Sequence, residues 1–84
     1  MRTQDEINKM IQNLEAEKSR LPEFSAFGNN NWEQIDEAIT VLLEKETDED
    51  AIYEKGLDHD QEMYAITAVQ WLNGEVDDDE LVED

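Results

Sequence analysis

The chain has 84 residues, 38% of them hydrophobic, which is enough for one small domain but near the lower limit for an independent core. It carries 24 acidic residues against six basic ones, a net charge of -18, and no cysteine. Disulfides and a thiol nucleophile are thereby excluded, and nucleic acid and anionic membranes are poor direct partners because both would be repelled.

The charge is uneven. Residues 1–45 hold nine acids and five bases (−4), whereas residues 46–84 hold fifteen acids and one base, Lys55 (−14). The N-terminal Met-Arg-Thr-Gln-Asp-Glu lacks the apolar run of a signal peptide, and no stretch approaches the length of a membrane span. A reducing, cytoplasmic setting is the expectation, and for a protein of a mobile element that would be the host's cytoplasm.

In chain order, Thr3-Gln-Asp-Glu6 has the pattern of a capping box. Ile7, Met10, Ile11 and Leu14 follow at i, i+3, i+4 and i+7, one apolar helical stripe, so a first helix is expected over about 4–20. Lys18 and Arg20 suit its C-terminal end, where the helix dipole favours cations. Leu21-Pro22 stops it, because the residue before proline is pushed out of the helical region.

Residues 22–31 read as a loop, with one Pro, one Gly and three consecutive Asn. Phe24 and Phe27 within it have two readings: plugs that fold back on a small core, or an exposed aromatic contact patch. Asn31 is suited to cap a second helix, with Gln34 at the reciprocal position. Ile35, Ala38, Ile39 and Leu42 form its apolar stripe, widened by Trp32, Val41 and Leu43. Thr47-Asp-Glu-Asp50 is a further cap signature. It introduces a short helix from Asp48 to Lys55 that turns Ala51, Ile52 and Tyr53 inward, with Gly56 as its stop.

Asp58 is placed to cap the next helix, which ends near Asn73-Gly74. Its segment Met63–Leu72 is interrupted in its apolar run only by Thr67 and Gln70, so it has no wide polar face. A helix of that kind is expected at the centre of a fold, here over about 59–73, wrapped by the first two helices or by a second copy of the chain. Asp77 then caps a last turn or two anchored by Leu81 and Val82, within an acidic segment 76–84 that is a short helix or partly disordered. The expected architecture is a single all-α domain, a small bundle of four to five helices with an acidic C-terminal half.

Two internal echoes occur. Ala38-Ile39-Thr40 recurs as Ala65-Ile66-Thr67, and Thr47–Glu54 parallels Val76–Glu83. Two copies fall short of the three or more that helical repeats normally need, and chance matching is the better explanation.

Catalytic chemistry finds little support. Ser25 sits in no nucleophile elbow, and the scattered glycines form no phosphate loop. Among 24 acids some carboxylate pair always lies at a hydrolase-like separation, so such a pair carries no information. Asp58-His59-Asp60 and Asp77-Asp78-Asp79 offer hard ligands but match no EF-hand loop, and one histidine cannot close a zinc site. No enzyme activity, cofactor or specific metal is expected.

The acids remain to be explained. Glu46, Asp48, Glu49, Asp50, Glu54, Asp58, Asp60 and Glu62 form one dense group; Glu75, Asp77, Asp78, Asp79, Glu80, Glu83 and Asp84 form another. Helix-surface carboxylates at i and i+4 lie about 5–6 Å apart, a pitch comparable to that of backbone phosphates. On a rigid scaffold they would fill the phosphate-binding groove of a basic nucleic-acid-binding protein or nucleoprotein complex and block it. In size and charge the chain resembles the small inhibitors that phages and mobile elements use against restriction, repair or CRISPR machinery, a resemblance of composition that rests on no motif. Two other readings stand beside it. In a regulatory adaptor the acids steer association while Phe24, Phe27, Trp32 or Tyr53 supply affinity. In a plain helical protein the acids are simply solvated.

Overall fold

The computed structural model describes residues 1–21 and 31–82, the side chain of Asn31 excepted. Four α-helices occur among them: α1 (Gln4–Lys18), α2 (Asn31–Glu44), α3 (Glu49–Tyr53) and α4 (His59–Leu72). A 3-10 turn over Asp78–Glu80 completes the fold, and the described residues contain no strand. The Cα radius of gyration, 12.1 Å, is that of a compact chain of this length.

α1 begins as its sequence dictates. The Thr3 hydroxyl accepts the Glu6 N–H at 3.2 Å, and the Glu6 carboxylate accepts the Thr3 N–H at 3.2 Å, closing both arms of the capping box. The helix ends two residues earlier than its pattern predicts. Ser19 occupies the cap, and its hydroxyl donates to the Ala16 carbonyl at 2.8 Å, the local competition with helix bonding that serine offers.

Ile7, Met10 and Leu14 of α1 enter the core with Ile35, Ala38, Ile39, Val41 and Leu42 of α2. From the other side come Ala65, Ala68, Val69, Trp71 and Leu72 of α4, with Ile52 and Leu81 closing the edges. Each fully buried Leu or Ile contributes roughly 1.5–3 kcal/mol. α2 packs most extensively on α4 and next on α1, so α2 has helices on two sides. α4 meets α2 and α3, and Met63 on its remaining side is 56% exposed.

α2 and α4 present the same burial pattern thirty residues apart. Ile35, Ala38, Ile39, Val41 and Leu42 correspond in order to Ala65, Ala68, Val69, Trp71 and Leu72. The Ala-Ile-Thr echo does not follow this register, because Ile39 is buried and Ile66 only half-buried. The second echo does have a structural counterpart: Asp48 and Asp77 both stand at N-cap positions, and Ile52 and Leu81 are both fully buried.

Both long helices also stop alike. The Glu46 N–H reaches the Val41 carbonyl and the Lys45 N–H the Leu42 carbonyl, just as Glu75 reaches Gln70 and Gly74 reaches Trp71. Each is a Schellman closure that needs positive φ at its penultimate residue. Gly74 adopts φ 77° without cost, whereas Lys45 is held at φ 54°, where its Cβ is crowded.

Several expectations are corrected. The short helix spans Glu49–Tyr53, not 48–55, and Tyr53 points outward, 56% exposed, because only Ile52 of this brief turn faces α4's core side. Leu43 is 65% exposed, since it continues the stripe of Asp36 and Thr40 rather than that of Ile35 and Ile39. Asp58 stands at the N-cap of α4 but makes no side-chain cap bond. Gln61, at the position that would close a capping box there, instead donates to Glu33 of α2 at 2.9 Å. Asn31 is the first residue of α2 rather than the residue before it, and its capping side chain lies outside the described residues.

Candidate functional site: an uncompensated acidic surface

The described residues contain three ion pairs, and each uses a carboxylate from the first half of the chain. Arg2 pairs with Glu6 at 3.3 Å, Lys18 with Asp36 at 3.0 Å, and Lys55 with Glu37 at 3.5 Å. Even Lys55, the sole base after residue 46, reaches back to α2. Among the described residues, no carboxylate from Glu46 to Glu80 is neutralised by a cation.

These carboxylates divide by the work they do in the fold. Asp48 caps α3, accepting the Asp50 N–H at 3.0 Å, and Glu46 accepts the Asp48 N–H at 3.0 Å. Glu49 accepts the Gln70 side chain at 3.3 Å, tying α3 to α4. Asp78 accepts the Trp71 indole N–H at 2.7 Å. Glu62 is half-buried beside α3. Asp50, Glu54, Asp58, Asp60, Glu75, Asp77, Asp79 and Glu80 are exposed, with no side-chain hydrogen bond.

The acids thus form two stretches. One runs from Glu46 around α3 into the first turn of α4, where Asp60 and Glu62 suit the positive end of the helix dipole. The other follows α4's C-terminal closure and the 3-10 turn. Asn73 ties the two closures together by donating to the Thr47 carbonyl at 3.1 Å. Glu83 and Asp84 lie outside the described residues, as do the proposed aromatic contacts Phe24 and Phe27. Trp32 is half-buried on α2 beneath the Lys18 ammonium, 4.9 Å from its ring centroid. Tyr53 stands exposed.

The carboxyl pKa of Glu6 is displaced. It is lowered from the ordinary value, chiefly by the Thr3 N–H and then by the Thr3 hydroxyl, with Arg2 adding to both. Among the described residues no group of three or more His, Cys, Asp or Glu is placed to hold a metal ion. No described helix is long and apolar enough to cross a membrane.

One arrangement gave no sequence signal. Arg2 lies over the Trp71 ring, 4.7 Å from its centroid, and its guanidinium donates to the carbonyls of Trp71 at 2.9 Å and Val76 at 2.8 Å. Its backbone N–H donates to Leu72 at 2.9 Å. Arg2 thus serves the carbonyl end of α4 and the Glu6 carboxylate rather than an acid of the second stretch.

Comparison with protein-family models gives no match, and comparison with curated proteins and with solved structures gives none either.

Proposed function

We propose that this chain is a non-enzymatic acidic binding protein that occupies the basic nucleic-acid-binding surface of a cytoplasmic protein or nucleoprotein complex, as a mimic of DNA or RNA. Its setting would be the contest between phages or mobile elements and host defence, as an anti-restriction or anti-CRISPR inhibitor. The observation that carries this reading is the lack of any cation against the carboxylates from Glu46 to Glu80 among the described residues. Repulsion of this kind opposes folding, and a sequence shaped only for stability would have offset it. The exposed acids sit on helix turns and closures of defined geometry, which supports a patterned charge array over a loose tail.

Immobilised protein should capture a basic nucleic-acid-binding protein from nuclease-treated lysate and release it to duplex DNA and to a salt gradient. Steep salt dependence follows from replacing counterions with carboxylates. A partner indifferent to DNA and to moderate salt would sink the mimic reading and favour an adaptor that grips through aromatic side chains.

A further inference from the structure

Nucleic-acid mimicry by itself calls for carboxylates, yet the first acidic stretch surrounds an apolar groove. α3 and α4 enclose an open groove of about 330 Å³ walled by Tyr53, Met63 and Ile66. Tyr53 and Met63 are each 56% exposed, so two of the four large apolar side chains that stand out into solvent among the described residues share this one depression. Glu49 and Glu62 line its rim, and Asp50, Glu54 and Asp60 continue the same turns. Among the described residues, the only side-chain donor to Glu49 is the neutral amide of Gln70.

We infer that the α3–α4 groove receives a basic segment of the protein partner, an apolar anchor flanked by Lys or Arg. The anchor packs between Tyr53 and Met63, whose flexible thioether adapts to its shape, and the flanking cations meet Glu49 and Glu62. Charge complementarity selects this occupant. A second copy would bring two uncompensated acidic rims together, and a nucleic acid would be repelled outright. The inference rests on the proposed function in one respect, that the partner is basic; it adds where contact is made and that the contact is partly apolar.

The test uses the full chain with isotope-labelled methyl groups and two peptide probes of equal charge. One is a helical peptide with Leu at i, i+3, i+4 and i+7 and Lys elsewhere; the other is oligolysine. The Met63 and Ile66 methyl signals should shift with the amphipathic peptide, which should bind about tenfold more tightly than oligolysine. Met63→Asp should bring the amphipathic peptide down to the oligolysine affinity although it adds a negative charge, with an unchanged circular dichroism spectrum because Met63 is exposed. Equal affinity for the two probes, shifts confined to Asp77–Glu80, or methyl shifts that grow with protein concentration alone would each overturn the inference. Failure here would leave capture of a DNA-displaced partner standing. Conversely, a groove that binds the peptide in a protein that captures no such partner would refute only the mimic.

Discussion

Arg2 and Trp71 are joined two ways, the guanidinium covering the indole face at 4.7 Å and Nε donating to the Trp71 carbonyl at 2.9 Å, and the neighbouring Leu72 carbonyl accepts the Arg2 N–H. A cation at a helix C-terminus is favourable, and a stacked one with paired donors more so. Arg2→Ala should therefore cost about 2 kcal/mol in urea unfolding. Arg2→Lys should recover less than half of that, because a single ammonium cannot stack and serve both the Trp71 and Val76 carbonyls.

Trp71 is buried on the same spot, 1% exposed, with its indole N–H on Asp78. Truncating a buried tryptophan costs about 3–5 kcal/mol, close to the whole stability expected of so small a domain. Trp71→Ala should show no cooperative thermal transition, and a well-folded variant would refute the core assignment. Trp71→Phe should fold, with a reduced Tm.

The two helix closures make opposite predictions. Lys45→Gly should stabilise by about 1 kcal/mol, since it relieves a side chain held at positive φ. Gly74→Ala should destabilise by about the same amount. A new Cβ at Gly74 would meet nothing within 4 Å, so the cost is backbone strain alone. Paired chemical denaturation of the two variants checks the signs.

Neutralising the acids separates capping from charge. Asp48→Asn with Asp50→Asn should leave the fold intact and raise the Tm, because asparagine caps as well as aspartate while two repelling charges disappear. Asp48→Ala should lose about 1 kcal/mol of capping. A large loss in the double Asn variant would make these acids structural. Partner binding should weaken in small steps with each neutralised acid.

Acid titration isolates Glu6. Its folded pKa is lowered, so its contribution to stability is present above the unfolded value and is lost as pH falls through the folded one. Comparison of wild type with Glu6→Gln should show a stability gap at neutral pH that closes under acid.

Local signals were read well from the chain. The Thr3–Glu6 box and the Gly74 stop each depend on residues within one turn, and both are present, whereas the cap of α3 falls on Asp48, one residue after the Thr47 that its signature suggests. Side-chain direction at the ends of short elements was harder. Tyr53 looked like core because α3 was expected to be longer, and Leu43 because it adjoins Val41-Leu42. Asp58 stands in the sequence context of a side-chain cap but makes no cap bond. Apart from its i,i+4 pair with Glu6, the role of Arg2 is not legible in the sequence, since the carbonyls it serves lie 69 and 74 residues away. For the candidate site, the acids were evident from composition, whereas their lack of cations required knowing that Lys55 turns back to Glu37.

The span of the Arg2 contacts has a kinetic corollary. Bonds that close so long a stretch of chain repay their loop entropy only after the helices between them are in place. Arg2→Ala is therefore expected to speed unfolding more than it slows folding, which stopped-flow chevron measurements would check. A contact formed late in this way slows opening by at most the factor its own free energy allows, without slowing assembly.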